Sequence, residues 1–363
     1  MAQTLRVGVI GVSAEGGWAR ESHVPAIRAT GGLELAAVAT RTQETADAAG
    51  AAFGVSRAYA NAGDLIADPD IDVVTVAAPV TAHRDLIVAA LNTGKHVITE
   101  WPVGTSTAQT EQIKAISDKS GLRTAVGLQS RLNPAALRAL ALIESGTIGR
   151  VLSATVYSST AGFGRRVADS ALYLEKPEAG MNLTTIQTAH TADLAIMLAG
   201  RLTSLAALAT IQYPELEAGD PPRPFHRVVP DHVLLHGRLD GGGALAVQVT
   251  GGRPAADTPF RMDVTGKDGI LTLEGGAARG FQAGRLHLRL NGELVDTTDS
   301  ETAGLPAPVV NVARVYAALR NDIAGSTSTA PDFGHAVRLS HLIDDIRTAA
   351  TTGQTITPTA DWP

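Results

Sequence analysis

The 363-residue sequence contains no cysteine. Disulfide bonds, thiolate nucleophiles and zinc sites built on thiolates are therefore excluded. The sequence also lacks any run of about 18 uncharged apolar residues, so no membrane-spanning segment is expected. Residues Met1–Arg6 show no basic region followed by an apolar core and a cleavage site, so we expect no signal peptide. A cytoplasmic protein is the resulting expectation.

Charge is also sparse. Charged residues make up 18% of the chain and the net charge is −6, whereas about 25% charged residues is typical of globular domains. An acidic chain offers no broad basic surface of the kind that binds nucleic acids or anionic membranes. We therefore expect neither a nucleic acid nor a membrane among its partners.

Apolar residues, by contrast, make up 44% of the chain, and the length suggests about two domains. In the first third, short apolar runs such as Leu5–Ile10 and Leu33–Ala39 alternate with helical segments such as Gln43–Phe53. This alternation predicts βαβ crossovers and a parallel sheet. Beyond roughly residue 130, β segments follow one another at short spacing, with turn residues such as Gly241–Gly243 between them, which indicates an antiparallel sheet.

The second part of the chain carries further local signals. A long helix is predicted over Leu183–Leu198, an exposed loop at Pro221–Pro224 and a tail over the last ten residues. Apolar residues at alternate positions of Ala244–Thr250 and Ile270–Leu273 indicate that the second face of the antiparallel sheet is covered. We expect that cover to be another copy of the chain in a homodimer or homotetramer.

A glycine-rich turn directly follows the first predicted strand. It reads Gly11-Val12-Ser13-Ala14-Glu15-Gly16-Gly17 and precedes a predicted helix. Gly11 allows a tight turn, and Gly16 or Gly17 allows a close approach of the helix to the strand. Ser13 stands where a dinucleotide-binding fingerprint has its middle glycine. The pattern favours a pyrophosphate held at the helix N-terminus; the alternative is an ordinary glycine-rich turn.

The second predicted strand ends in Thr40-Arg41. An acidic residue near this position usually accepts the ribose hydroxyls of NAD, and an arginine accommodates the 2′-phosphate of NADP. Thr40 and Arg41 therefore slightly favour NADP over NAD. The alternative is that Arg41 is a solvated charge after a strand.

Four further motifs occur in a fixed order along the chain. They are Ala78-Pro79 with His83, Glu100-Trp101-Pro102, Gln129-Ser130-Arg131-Leu132-Asn133-Pro134 and His190-Thr191-Ala192-Asp193. Together with the glycine-rich turn, they resemble the family of glucose–fructose oxidoreductase, inositol dehydrogenase and MocA (Gfo/Idh/MocA) over nearly the whole length.

The resemblance implies a Rossmann domain over residues 1–127 and an α/β domain with a large, open, mostly antiparallel sheet over residues 128–363. It also implies NAD(P) as cofactor, oxidation or reduction of a sugar-like small molecule, and a homo-oligomer. The residues that it assigns to the cofactor are Gly11, Ser13, Gly16, Gly17, Trp18, Thr40, Arg41, Ala78, Pro79, His83, Glu100 and Gln129.

Two positions depart from the family pattern. Trp101 stands where the family has a lysine beside the reacting hydroxyl, and Ile186 stands where it often has an aspartate. An indole donates one hydrogen bond but does not exchange protons at neutral pH. Of the usual Lys–Asp–His set, His190 alone is retained.

The same departures resemble a subgroup of the family that contains the galactose-pathway repressor of fungi, a non-enzymatic NAD(P)-binding relative. The shared segments are Gly17-Trp18-Ala19, Glu100-Trp101, Thr184-Thr185, Val229-Pro230-Asp231-His232 and Leu271-Thr272-Leu273-Glu274-Gly275. The sequence therefore leaves three functions open. One is a sugar or polyol oxidoreductase, and another is a nucleotide-binding regulator that recognises a protein partner. The third is an assembly or scaffold subunit with a vestigial site.

His190 is the candidate catalytic residue, because alcohol oxidation needs a base and histidine exchanges protons near neutral pH. Asp193 lies three residues further along the same helical face and is a candidate to orient it. Arg131 is predicted to bind substrate or to form a structural ion pair. Trp101 is predicted either to stack on the nicotinamide or a sugar, or to fill a domain interface. Tyr173 and Tyr157 are each predicted either to donate a proton in the cleft or to pack in the protein interior.

His226, His232 and His236 are close in sequence, and the last two share one face of a predicted strand. No His-x-x-x-His motif with an acidic partner on a helix accompanies them. We therefore expect no metal site.

Overall fold

The computed structural model describes residues 4–300, 302–325, 327–360 and 362. They form two compact units. The first unit contains the chain up to Gln129 together with Gly304–Val337, and the second contains Ser130–Ala303 together with the chain from Arg338 onward. The predicted boundary at residue 127 lies two residues before Gln129, where the first segment of the first unit ends. The return of Gly304–Val337 to the first unit is a difference from the predicted continuous second domain.

Tyr316 shows why this returning segment belongs to the first unit. Its side chain is 1% exposed, and its hydroxyl lies 2.8 Å from His23 Nδ1 and 2.8 Å from Thr75 Oγ1. The backbone N–H of Val126 also donates to the carbonyl of Pro331, at 2.7 Å. These contacts join residues that are far apart in sequence, so the pattern of neighbouring residues does not predict them.

Parallel strands form the sheet of the first unit. They are β1 (Leu5–Ile10), β2 (Leu33–Ala39), β3 (Arg57–Tyr59), β4 (Val73–Val76), β5 (His96–Thr99) and β6 (Thr124–Val126). Their order in the sheet is β3-β2-β1-β4-β5-β6, and every ladder is parallel. The order reverses between β1 and β4, where doubly wound sheets bind ligands outside the carboxyl ends of the strands. The predicted Rossmann fold is confirmed.

Helices connect these strands, and capping side chains mark the starts of α2, α3 and α5. They are α1 (Val24–Ala29), α2 (Gln43–Phe53), α3 (Ala62–Ala67), α4 (Val80–Asn92) and α5 (Thr107–Ser120). The side chain of Thr42 accepts from the N–H of Thr45 at the start of α2, and Ser106 accepts from Gln109 at the start of α5. Such caps satisfy backbone donors that the first helical turn leaves unpaired.

The remaining elements continue the chain. In order, they are α6 (Pro134–Glu144), β7 (Val151–Ser159), β8 (Arg166–Val167), α7 (Ala189–Ala199), β9 (Leu202–Thr210), β10 (Glu215–Ala218), β11 (Arg223–His226), β12 (His232–Leu239), β13 (Ala244–Thr250), β14 (Pro259–Gly266), β15 (Ile270–Gly276), β16 (Leu286–Leu290), β17 (Glu293–Val295), α8 (Ala307–Gly325) and α9 (Phe333–Thr352).

The second unit contains a large sheet of order β17-β16-β15-β14-β7-β13-β12-β9. β7 and β13 pair in parallel, and the other ladders of this sheet are antiparallel. Strands β8, β10 and β11 form a separate small sheet of order β11-β10-β8. The predicted large, mostly antiparallel sheet is therefore confirmed.

The two faces of the large sheet differ. Helix α7 packs against β7 and β13, and α6 packs against β16. Along β13, Leu245, Val247 and Val249 are buried, whereas Ala246 and Gln248 between them are exposed. One face of the sheet therefore forms the core with the helices, and the other face is open.

Three local predictions need correction. The predicted helix Leu183–Leu198 begins as a π-helical turn, Thr184–Thr188, before α7. Arg223 and Pro224 of the predicted exposed loop belong to strand β11, because β10 offers them an antiparallel partner. The predicted tail is tied down: Ile356 bridges Leu205, and Thr359 hydrogen-bonds to the carboxylate of Asp345.

Within the described residues, no helix combines the length and apolarity that crossing a bilayer requires.

Candidate functional site

The turn that follows β1 has the shape of a phosphate cradle. Gly11 adopts φ +90°, and a Cβ at this position would lie 2.7 Å from the carbonyl oxygen of Ala77, which follows β4. Gly17 adopts φ +101°. A Cβ at Gly16 or Gly17 would meet no described atom within 4 Å. The predicted close approach at Gly16 or Gly17 is therefore wrong, and Gly11 alone of the three meets a close neighbour.

Two polar groups of this turn have hydrogen-bond donors available to a ligand. Ser13 Oγ accepts from the N–H of Glu15 at 3.2 Å, so the hydroxyl keeps its proton for another acceptor. The indole N–H of Trp18 is buried and has no hydrogen-bond partner among the described residues. An unsatisfied buried donor is rare and costly. Both donors fit a pyrophosphate or another acceptor-rich group.

Arg41 places a cation just after the end of β2. Arg41 is exposed, and no ion pair or hydrogen bond of its side chain is found within the described ranges. Thr40 Oγ1 lies 2.7 Å from Thr45 Oγ1 and donates to the carbonyl of Thr42 at 3.0 Å. Thr40 thus shapes the turn, and Arg41 offers its guanidinium to solvent.

His83 is committed to the backbone. Its ring is 2% exposed, with Nε2 2.9 Å from the carbonyl oxygen of Ala78 and Nδ1 3.0 Å from that of Pro102. Burial lowers the pKa of the His83 imidazole, although the charge of Glu100 acts in the opposite direction. His83 therefore ties the turn that follows β4, with Ala78 and Pro79, to the turn that follows β5.

Trp101 lies in this second turn, where it precedes a cis bond to Pro102 and is 5% exposed. Gln129 is 2% exposed, and its Oε1 has no partner within the described ranges. The buried donor of Trp18 and the buried acceptor of Gln129 match the mixed donor and acceptor needs of a nicotinamide dinucleotide. The residues of the first unit therefore fit such a cofactor.

Sequence reasoning missed a hydrogen-bonded chain in this unit. Glu100 Oε1 lies 2.7 Å from His23 Nε2, and His23 Nδ1 lies 2.8 Å from the hydroxyl of Tyr316. Thr75 ends the chain, 2.8 Å from the same hydroxyl. Glu100 carries the one motif signal among these residues, because the partners come from distant segments.

In the second unit, His190 lies in the first turn of α7 and is 5% exposed. Asp193 lies three residues later and is fully buried. Its carboxylate accepts a hydrogen bond from Arg131 Nη1 at 3.1 Å. The same Nη1 lies 3.4 Å from the carbonyl oxygen of Asp193. Of the two roles that the sequence left open for Arg131, the geometry supplies the ion pair, which pins helix α7 close to His190.

Tyr173 lies in a 3-10 segment, Asp169–Glu175, and is 43% exposed. Partial burial raises the pKa of the Tyr173 phenol, and the charge of Arg279 opposes that shift. The carbonyl of Arg279 accepts from Gln187 Nε2 at 2.7 Å, and Gln187 lies three residues before His190. The backbone of Arg279 is thus tied to the turn that begins the His190 helix. Tyr157 lies on β7 instead, on the open face of the sheet.

Arg227 is a second residue that the sequence analysis missed. Its side chain is fully buried, with Nε and Nη2 each 2.7 Å from the carboxylate of Glu175 and Nη1 3.0 Å from Asp231. It also donates to the carbonyls of Phe163 and Gly164. This cluster explains the Val229–His232 motif as a structural feature that anchors the segment carrying Tyr173.

Asp231 completes the cluster. Burial alone would raise the pKa of Asp231, but the pKa is lowered because the backbone N–H groups of Gln212 and Tyr213 and the side chains of His232 and Arg227 stabilise the carboxylate. His232 Nδ1 lies 3.1 Å from Asp231, and His226 Nδ1 lies 2.8 Å from Glu215. These two histidines therefore have separate carboxylate partners.

Comparisons with known proteins agree with this architecture. Residues 5–128 match the family model described as oxidoreductase family, NAD-binding Rossmann fold. Residues 134–275 match the one described as Gal80p, C-terminal domain. Dehydrogenase aclE of Aspergillus oryzae is 28% identical, with 98% of each chain covered. The galactose/lactose metabolism regulatory protein GAL80 of Saccharomyces cerevisiae is 28% identical over 76% of this chain and 68% of that protein.

Solved structures show the same fold over the whole length. A super-repressor mutant of Gal80p from Saccharomyces cerevisiae aligns with a TM-score of 0.85 and 25% identity, covering 98% of both chains. A complex of levoglucosan dehydrogenase with NADH aligns with a TM-score of 0.82 and 21% identity, covering 99% of this chain and 100% of that one. The two family models lie end to end along the chain, one on each of the two predicted domains. Residues 5–128 therefore match the NAD-binding Rossmann fold of the Gfo/Idh/MocA oxidoreductase family, and residues 134–275 match the C-terminal domain of Gal80p.

Proposed function

We propose that this protein is an NAD(P)-dependent oxidoreductase that acts on a CH–OH group of a sugar or polyol. The observation that carries the proposal is the buried His190 on a helix that the Arg131–Asp193 pair fixes in place. The cradle at Gly11 and the unsatisfied indole N–H of Trp18 support nucleotide binding in the first unit. Dehydrogenases and a regulatory protein both occur among the relatives, so catalysis is the part that needs a test.

His190 carries the proton chemistry in this proposal. A bound nicotinamide would supply the hydride acceptor for the carbon that bears the hydroxyl. The hydroxyl proton passes to an imidazole nitrogen of His190, which then releases it to solvent. Trp101 takes no part in this transfer, because an indole does not exchange protons at neutral pH. Its flat apolar surface is suited to stacking on the nicotinamide or a sugar face.

Absorbance of NAD(P)H with a panel of sugars and polyols tests the proposal on the purified protein. Reduction of NAD(P) by at least one of them supports it. Absence of turnover with every compound, in either direction, contradicts it.

The second candidate is a nucleotide-binding regulator, and the match of residues 134–275 to the Gal80p C-terminal domain favours it. Trp101 in place of the family lysine also favours it. A pull-down of protein partners with and without NAD(P), together with no turnover, would support this function over the enzyme.

The cofactor should be NADP rather than NAD, because Arg41 is exposed at the end of β2 with no described partner. We expect Arg41→Ala to weaken NADP binding by about 10- to 100-fold, since a charge-assisted hydrogen bond contributes about 1.5–3 kcal/mol. The affinity for NAD should change little. Calorimetric titration measures both affinities, and Lys114→Ala, which removes a 37% exposed cation from α5, is the matched control. Equal losses for NAD and NADP would contradict a contact with the 2′-phosphate.

We also propose that a second copy of the chain covers the open face of the large sheet. Leu208 and Leu234 face each other in register on β9 and β12, and they are 52% and 44% exposed. We expect light scattering at micromolar concentration to give a dimer or tetramer, and Leu234→Glu to shift it toward the monomer. Val228→Glu, at a 55% exposed position outside this sheet, is the control. A monomeric unaltered protein would contradict the proposed interface.

A further inference from the structure

A histidine–carboxylate pair lies at the carboxyl edge of the first unit's sheet. Glu100 directly follows β5, and its side chain is 23% exposed, whereas that of its partner His23 is 1% exposed. The carboxylate also lies against Gly127, which follows β6, because a Cβ there would stand 2.7 Å from Glu100 Oε1. Glu100 is therefore fixed where two adjacent parallel strands end.

His23 is held on its other side by the hydroxyl of Tyr316. Burial raises the pKa of Tyr316, so the phenol keeps its proton at neutral pH. Tyr316 can then donate to Nδ1 of His23, Thr75 can donate to the Tyr316 oxygen, and Nε2 of His23 lies 2.7 Å from Glu100 Oε1. A hydrogen bond to the charged form favours a carboxylate over a carboxylic acid. These hydrogen bonds thus hold the negative charge of the Glu100 carboxylate at a fixed position.

A nicotinamide dinucleotide binds outside the carboxyl ends of such strands. Its ring carries one positive charge when oxidised and none when reduced. A nearby fixed carboxylate attracts the oxidised ring and leaves the reduced ring little affected. The pKa of His83 on α4 is lowered by burial, and the charge of Glu100 opposes that shift.

We propose that Glu100, positioned by His23, makes the nucleotide site selective for the oxidised cofactor. This inference rests on the proposed nucleotide binding and adds the oxidation state that the site favours. Glu100 is the selecting residue, and His23 is a positioning residue that acts through it.

Calorimetric titration of the full chain with NADP⁺ and with NADPH, at one fixed pH, tests this selectivity. The measured quantity is the ratio of the two dissociation constants. Glu100→Gln keeps the shape and removes the charge, so the affinity for NADP⁺ should fall relative to NADPH by on the order of tenfold. The matched control Asp118→Asn neutralises a 59% exposed carboxylate on α5 and should leave the ratio unchanged.

Variants of His23 test the positioning role. His23→Leu removes the donor to Glu100 and should shift the ratio in the same direction as Glu100→Gln. His23→Gln keeps an N–H donor and should restore most of the preference for NADP⁺. A general loss of stability would weaken both affinities equally and would not move their ratio.

Far-UV circular dichroism checks that each variant is folded, and Glu100→Asp, which displaces the carboxylate, replaces Glu100→Gln if that variant does not fold. An unchanged ratio in the folded variant overturns the inference and leaves nucleotide binding intact. If the unaltered chain binds neither nucleotide, the proposed function is overturned, and this inference with it.

Discussion

Replacement of His190 by alanine is expected to lower the turnover of a sugar or polyol by about 10²–10⁴-fold, the usual contribution of a positioned acid or base. Trp101 and Ile186, which stand at the family's lysine and aspartate positions, have no proton to exchange. No other position of the family's Lys–Asp–His set can therefore take over the proton transfer from His190. Cofactor affinity should change little, because the phosphate cradle belongs to the other unit. Stopped-flow or steady-state absorbance of NAD(P)H gives the rate, and calorimetry gives the affinity.

The matched control for this variant is His226→Ala. His226 is an exposed histidine on β11 whose partner is Glu215, so its removal should leave turnover unchanged. An unchanged rate after His190→Ala would show that another group does the work. Tyr157 and Tyr173 would then be the next candidates, and Tyr173→Phe the next variant.

Removal of the Arg227 guanidinium should have the largest effect on stability. Arg227→Leu leaves the carboxylates of Glu175 and Asp231 buried without their cation, and it takes a donor from the carbonyls of Phe163 and Gly164. Breaking a buried ion pair by removing one partner typically costs about 3–5 kcal/mol. We expect the free energy of unfolding, measured with urea, to fall by about that amount.

Arg166→Leu is the control for the same chemistry at the surface. Arg166 pairs with Glu217, but its side chain is 79% exposed. Exposed pairs contribute about 0–1 kcal/mol, so the urea midpoint should move little. Equal losses in the two variants would show that the buried position of Arg227 does not set its contribution.

The sequence predicted the features that depend on neighbouring residues. The strand and helix alternation of the first unit, the turn at Gly11 and the position of His190 on a helix all arise from local patterns. Gly11 illustrates this, because its positive φ and its closeness to Ala77 require the residue that the fingerprint contains.

The features that the sequence did not predict depend on long-range contacts. Arg227 and Glu175 are 52 residues apart, and Arg131 and Asp193 are 62 apart. A charged residue in a sequence gives no sign of whether a distant partner makes its burial tolerable. The sequence could therefore offer both a substrate contact and an ion pair for Arg131, and only the fold shows the pair.

The return of Gly304–Val337 to the first unit has a consequence for how the protein is made. His23 and Tyr316 are separated by 293 residues, so His23 leaves the ribosome long before its partner exists. At about 5–20 residues per second, that interval lasts roughly 15–60 seconds. Throughout it the nascent Rossmann sheet lacks α8, and the face that Tyr316 later covers is open to chaperones. The hydrogen-bonded chain of Glu100, His23, Tyr316 and Thr75 is therefore completed late in synthesis, although three of its four residues are translated early.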